Sequence, residues 1–290
     1  MVHVQRLRRL WLRSQPSEIR RCSMRLPKIA RSPIPRFTKT ELNLADRCAK
    51  ALWYGINFQT GNLHHKSDAS LMSDFAFNFY HFHTNKIKFK PDIFVADIRQ
   101  LILSCGVKNL FRWIKRMDLR KAIDSIYDDV YPQFLISQKK PNRVSSYQVA
   151  VQCLEKLNDG IVNHPTSNQY NLASRILFFL SPNLHTFNLN STIAKHFGLQ
   201  HRTHVHYADY FELFSKGMVT NQTNLSKYKM PPARDGLDVK TWNEARRTDW
   251  WRRRVLDLAV LLHTSPKVTV DPNLRVYIRR KIKQDEIENA

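Results

Sequence analysis

The chain has 290 residues, with 47 lysines and arginines against 24 aspartates and glutamates, and so carries a formal net charge of +23. This surplus favours a polyanionic partner, and the interleaving of basic with aromatic residues favours nucleic acid over a membrane surface. No apolar run reaches the roughly 20 residues of a membrane span, and the four cysteines are scattered without a Cys-x-x-Cys pair, which argues against a transmembrane protein, a disulfide framework and a zinc module.

Residues 1–36 differ from the rest of the chain in composition. They contain ten lysines and arginines but a single acidic residue, Glu18, together with four prolines. A segment of this kind is typical of a flexible basic arm that follows a phosphate backbone. Two other interpretations stay open: an uninvolved tail preceding a true start at Met24, and a mitochondrial transit peptide. We expect the flexible arm.

The remainder of the chain predicts helices and an all-α fold with minor strand content. The pair Thr38 and Glu41 is typical of a capping box, and it opens a helix that we expect to reach about Phe58. Alternation of apolar and polar residues is confined to 268–270, and the whole chain has only seven glycines. We expect an N-terminal helical part over 37–140 and a C-terminal part over 141–290. The further predicted helices are 70–84, 92–104, two within 107–136, 145–158, 170–180, 191–198, 206–217 and 241–263.

The segment 173–217 combines several features that occur together in one group of proteins. An apolar helix begins at 173–175 (Ala-Ser-Arg), an extended turn follows at 187–189 (Phe-Asn-Leu), and Asn190 then opens a short helix. A helix rich in tyrosine and phenylalanine begins at about 207. This order resembles the helix-hairpin-helix DNA glycosylase superfamily, and it is most similar to the bacterial branch with an oxoguanine-glycosylase fold.

The resemblance implies an enzyme that grips duplex DNA, flips out a modified base and hydrolyses its N-glycosidic bond without a cofactor or metal. A role in phage defence, by attack on modified phage DNA, is a further implication. Asn190 stands where the family has its catalytic aspartate, and Arg175 stands where bifunctional members have lysine. An amide cannot supply a negative charge to the sugar, although Asn190 could still orient water through its carbonyl oxygen. Three alternatives therefore stay open: Asp209 or Asp249 compensates, the site binds DNA without cutting it, or the chain uses a different nucleophile.

A flipped base requires aromatic walls and nearby cations. The candidate wall residues are Tyr207, Tyr210, Phe211 and Trp250, with Trp251 as a further choice. The candidate phosphate contacts are Ser174, Arg175, Lys195, Arg246, Arg247, Arg252, Arg253 and Arg254. Structural roles remain open for all of these positions. The aromatic spacing is also typical of a helix core, the arginines could form a solvated face, and Asn190 could be an ordinary helix N-cap.

Two other functions remain open from the sequence. Residues 191–200 also match the first helix and turn of a helix-turn-helix DNA-binding protein, which would present 202–214 to a groove. Alternatively, the chain is a helical scaffold associated with RNA. The histidines at 196, 201, 204 and 206 lack the spacing of a metal site. We expect a bacterial cytoplasmic, nucleoid-associated location, with a mitochondrial one as the second choice.

Overall fold

The computed structural model describes residues 32–63, 67–73, 170–180, 182, 185–201, 204–205, 207–232 and 239–288, and a few positions within 152–158. Apart from a short helical stretch over 68–73 and the helical positions within 152–158, the elements are as follows. They are α1 (Lys39–Trp53), α2 (Tyr170–Leu180), α3 (Ser191–His196), β1 (Gln200–His201), β2 (His204–Val205), α4 (Tyr207–Leu225), α5 (Val239–Arg247), α6 (Trp250–Thr264) and α7 (Leu274–Glu288).

The predicted all-α class is confirmed for the described part of the chain. The two strands are two residues long each and pair only with one another, antiparallel, with Gln200 opposite Val205. Residues 268–270, where the alternation left room for a strand, have no regular secondary structure.

The boundaries of α1 follow from local chemistry. The hydroxyl of Thr38 accepts a hydrogen bond from the backbone amide of Glu41, and the Glu41 carboxylate accepts one of 2.8 Å from the Thr38 amide, which confirms the capping box. The helix ends earlier than Phe58 because Gly55 adopts a left-handed φ of 73° and donates its amide to the carbonyl of Leu52.

Helix α6 lies at the centre of the fold and packs against α1, α3, α4 and α5. The ring of Trp53 on α1 meets Trp250 and Trp251 edge-on, with ring centroids 6.1 and 6.0 Å apart. The indole nitrogen of Trp251 also donates a 3.0 Å hydrogen bond to Asp46. The first helix after the basic N-terminal segment therefore shares a core with the C-terminal helices.

The end of the predicted basic arm is tied to α4. Ile34 is buried, the amide of Phe37 donates to the side-chain oxygen of Asn221 at 2.8 Å, and the Asn221 amide group donates to the carbonyl of Pro35 at 3.1 Å. The predicted arm boundary at residue 36 is therefore a few residues too late. Residues 1–31 lie outside the described residues.

Two further helix predictions need correction, and one helix was missed. Helix α4 does not end at Gly217 but continues to Leu225. Gly217 serves packing instead: it leaves room for the side chain of Ile34, which a Cβ at this position would approach to 2.8 Å. The predicted helix over 241–263 is two helices, separated at Thr248 and Asp249. Helix α7 was not predicted. The predicted helices over 92–104 and 107–136, and residues 74–84, lie outside the described residues.

Candidate functional site

The extended turn that precedes α3 is held in place by two tyrosines of α4. Tyr207 exchanges hydrogen bonds of 3.1 Å with the backbone amide and carbonyl of Phe187. The hydroxyl of Tyr210 donates to the carbonyl of Asn188 at 2.8 Å and accepts from the amide of Asn190 at 3.3 Å. The backbone from 187 to 190 therefore depends on α4 for its shape.

Asn190 is the N-cap of α3. Its side-chain oxygen accepts hydrogen bonds from the amides of Thr192 at 2.9 Å and Ile193 at 3.4 Å. The interpretation of Asn190 as a helix cap is confirmed. The cap occupies the same oxygen that could orient a water molecule.

The aromatic residues predicted to line a base pocket lie in the core. Tyr210 and Trp250 have no exposed surface, and Tyr207 and Phe211 are also buried. The ring of Tyr210 stacks on Phe214 with centroids 4.6 Å apart, and the Trp250 indole nitrogen donates to the carbonyl of Phe178 at 2.9 Å. The predicted pocket wall is therefore wrong for the described structure. Trp251, the further choice, is also buried.

Two of the predicted phosphate contacts are internal structural residues. Ser174 is fully buried and accepts a 2.9 Å hydrogen bond from the amide of Leu189. Arg253 is 1% exposed and donates to the carbonyls of Thr186 at 2.6 Å and Pro182 at 2.8 Å. Burial lowers the pKa of Arg253 to about 10, so the guanidinium stays charged at neutral pH. The prediction that these two residues bind phosphate is wrong.

Arg254 is also not available to a phosphate. Its guanidinium makes ion pairs of 2.8 Å with Asp68 and 3.2 Å with Asp257, and its side chain is 12% exposed. Although burial opposes the charged form, the two carboxylates outweigh it and raise the pKa of Arg254. This contradicts its predicted role as a surface contact.

The other predicted cations lie nearer to solvent. Lys195, Arg246 and Arg247 are exposed, and the guanidinium of Arg246 lies 5.1 Å from the ring centroid of Trp242. Arg252 is 40% exposed and makes a 2.8 Å ion pair with Asp249. The remaining predicted cation, Arg175, is half-buried and electrostatically coupled to Tyr210 and to Asp257.

The two candidate compensating carboxylates have different positions. Asp249 stands at the N-cap position of α6 without a side-chain capping bond, and it pairs with Arg252. Asp209 is half-buried in the first turn of α4, where a negative charge is favourable to the helix dipole. For Asp249, the structure records no hydrogen bond to the turn over 187–190 within the described residues.

The carboxylate that does contact the turn is Asp257, which the sequence analysis missed. It accepts hydrogen bonds from the side-chain amide of Asn188 at 3.3 Å and from Arg254 at 3.2 Å. Burial raises the pKa of Asp257, and the positive charge of Arg254 opposes that shift. The side-chain oxygen of Asn188 is buried and has no hydrogen-bond partner among the described residues. One sequence signal was available: a single acid within the apolar stretch 255–262 requires a partner if it is buried.

Comparison with known proteins gave no match to a protein family model, a curated protein or a solved structure. Within the described ranges, no helix is both long and apolar enough to cross a membrane. The same ranges contain no cluster of three or more histidine, cysteine, aspartate or glutamate side chains able to hold a metal ion.

Proposed function

We propose that the chain is a DNA-binding protein that contacts the phosphate backbone through Arg246 and Arg247, at the corner between α5 and α6. The proposal rests on one observation: both arginines are exposed, and the structure records no ion pair for either of them among the described residues. Cations without an acidic partner are the ones that can exchange counterions for phosphates. Such a protein would act at the bacterial nucleoid.

The corner is joined to the turn that precedes α3. Thr248, which follows Arg247, donates its hydroxyl to the carbonyl of Pro182 at 3.3 Å. Arg253 donates to the same carbonyl and to that of Thr186. These contacts anchor the basic corner to Pro182 and to Thr186, and the described residues 185–190 lead into α3. DNA bound at the corner would therefore lie beside residues 185–190.

The proposal is tested by the salt dependence of binding to a fluorescently labelled DNA duplex, measured by anisotropy. The variant Arg246→Ala/Arg247→Ala is compared with Lys50→Ala/Lys216→Ala, which removes the same charge from lysines paired with Asp46 and Glu212. The slope of log K against log salt is negative, and each lost phosphate contact makes it less steep by about 0.9. The slope of the first variant should therefore be less steep by up to about 2, and that of the control by far less.

Two results would contradict the proposal. Wild-type protein without measurable affinity for duplex DNA would overturn DNA binding itself. Equal losses in the two variants would show that only net charge matters and that the corner has no particular role.

A second candidate function, base excision, is supported by the contact between Asp257 and Asn188, two residues before Asn190. Hydrolysis breaks the bond from the sugar C1′ to the base, the electron pair leaves with the base, and water adds to C1′ and gives its proton to the base or to solvent. The positive charge that develops on the sugar is stabilised by a nearby carboxylate. Asp257 is a carboxylate that contacts this turn, but it is buried and ion-paired with Arg254, so base excision would require the turn to open and expose it.

This second candidate is tested by incubating the protein with genomic DNA of differing modification state and identifying released bases by mass spectrometry. Asp257→Asn should abolish release and retain DNA affinity, whereas Asp209→Asn and Asp249→Asn serve as matched controls that retain release. Absence of any released base with wild-type protein, or undiminished release by Asp257→Asn, would exclude this function for the site.

A further inference from the structure

Helix α7 is docked on the rest of the protein by one face only. Leu274 is fully buried and Ile278 nearly so, and the ring of Tyr277 covers Gly61, where no side chain would fit. The segment before the helix is fixed by the amide of Asp271, which donates to a carbonyl in the loop after α1 at 2.9 Å. These contacts with the α1 region fix which side of α7 faces solvent.

The solvent-facing side of α7 carries a row of cations. Arg275, Arg279 and Lys283 are exposed and follow one another at intervals of four residues, so they lie on one stripe. With a rise of 1.5 Å per residue, successive members are about 6 Å apart and the row spans about 12 Å. Arg280 is exposed beside this stripe. We call Arg275, Arg279 and Lys283 the α7 basic row.

The charge of the α7 basic row is not neutralised within the described part of the chain. The structure records no ion pair there for any of its members. The ion pair of α7 is on its docked side, where Lys281 lies 2.9 Å from Asp285. Glu286 is the one carboxylate near the row on the helical wheel. Three like charges on one stripe repel one another, and a polyanion placed along the stripe would relieve that repulsion.

We propose that the α7 basic row is a second contact with the phosphate backbone of duplex DNA, separate from the α5–α6 corner. The proposal rests on the proposed function for its partner, but it depends on a different helix. Nucleic acid fits this face better than a membrane surface because an interfacial helix needs a continuous apolar face. The apolar face of α7 is already packed against the protein. Among its described residues, the large apolar side chains that α7 exposes are Val276 and Ile287 alone, which do not make a continuous apolar face.

The test compares two variants that remove the same charge. Arg275→Ala/Arg279→Ala/Lys283→Ala removes the α7 basic row, and Lys50→Ala/Lys216→Ala/Lys281→Ala removes three ion-paired lysines. Binding of a labelled DNA duplex is measured by anisotropy over a range of salt concentrations. At about 0.9 per lost phosphate contact, the first variant should reduce the slope of log K against log salt by about 2 to 3, and the control by less than about 1.

The possible results separate this inference from the proposed function. If wild-type protein does not bind the duplex, the proposed function and this inference both fail. If wild-type protein binds and the two variants lose slope equally, only the α7 basic row is rejected. If removal of the row abolishes binding to vesicles of anionic lipid but not to DNA, the partner assigned here is wrong. Because alanine favours helix and the three positions are exposed, the variant should retain its helical circular dichroism spectrum.

Discussion

The hydroxyl group of Tyr210 donates a 2.8 Å hydrogen bond to the carbonyl oxygen of Asn188. The same hydroxyl oxygen accepts a 3.3 Å hydrogen bond from the amide of Asn190. Tyr210 is fully buried, and burial holds its pKa well above the ordinary value, so the hydroxyl keeps its proton under all physiological conditions. One side chain of α4 thus satisfies two backbone groups of the turn that opens α3.

Replacing Tyr210 with phenylalanine should destabilise the protein by about 1–3 kcal/mol, because a buried carbonyl and an amide lose their partner. Urea denaturation followed by circular dichroism measures the loss. Tyr228→Phe is the matched control, since its hydroxyl donates to Asn43 at an exposed position, and it should cost under about 1 kcal/mol. Equal losses in the two variants would contradict a structural role for the Tyr210 hydroxyl.

Substitutions at Asn190 separate capping from any other role. Asn190→Ala removes the acceptor for the amides of Thr192 and Ile193 and should cost about 1 kcal/mol of folding free energy. Asn190→Asp keeps the acceptor and places a negative charge at a helix N-terminus, so its stability should match wild type or exceed it by a few tenths of a kcal/mol. Chemical denaturation distinguishes the two. If Asn190→Ala were as stable as the wild type, the cap would contribute nothing to stability.

The features that the sequence predicted are local ones. The capping box of α1 and the N-cap at Asn190 involve residues within three positions of each other, so the sequence alone contains the whole interaction. The all-α class follows from periodicity in the same way. Contacts between distant residues were not predictable by this route. Asp46 and Trp251 are 205 positions apart, and nothing in either segment identifies the other as its partner.

The basic segment shows a second limit of sequence reasoning. Arg252, Arg253 and Arg254 are consecutive, and composition gives them equal roles. Successive residues on an α-helix point in directions about 100° apart, so the fold gives each a different environment. Arg253 is buried against backbone carbonyls, Arg254 is paired with two carboxylates, and Arg252 is 40% exposed. Helix α7 was missed for a related reason. The many charged residues of this segment, including the α7 basic row, obscured the helical spacing of the apolar residues Leu274 and Ile278.

The buried guanidinium of Arg253 should be sensitive to a change that retains its charge. Lysine cannot reproduce the two-pronged contact with the carbonyls of Thr186 and Pro182, so Arg253→Lys should cost about 1–3 kcal/mol of stability. Its salt slope for DNA should equal that of wild type. Arg252→Lys, at the exposed neighbouring position, should change stability by less than about 0.5 kcal/mol. If Arg253→Lys kept its stability but showed a less steep dependence of DNA binding on salt, Arg253 would have to contact DNA after all.

Two glycines allow a comparison of close approach with and without backbone strain. Gly61 has a φ of 71°, and a Cβ there would overlap the ring of Tyr277, so Gly61→Ala should destabilise by more than about 1 kcal/mol and loosen α7. Gly217→Ala meets the side chain of Ile34, but it gains helix propensity, so its loss should be smaller. Thermal unfolding ranks the two variants. The opposite order would show that Tyr277 moves aside at little cost.

The stability of the protein should depend on pH through His185, which precedes the turn. Its ring meets those of Phe187 and Phe211 edge-on, with centroids 5.1 and 5.7 Å away. Burial, reinforced by the positive charge of Arg253, lowers the pKa of His185 from 6.5 to about 4. In that range the unfolded chain binds a proton that the folded protein does not, so this contribution is fully present above pH 6.5 and is lost as the pH falls toward 4.

His185→Phe removes the titration while keeping a ring in the aromatic cluster. Between about pH 7 and about pH 5, the free energy of unfolding of the wild type should fall by roughly 1–2 kcal/mol more than that of the variant, because the histidine must stay neutral in the folded state. Urea denaturation at the two pH values measures both decreases, and the acidic residues common to the two proteins cancel in the difference. Parallel decreases would mean that the folded protein accommodates a charged His185, and the ring would then have to reach solvent on protonation rather than remain against Phe187 and Phe211.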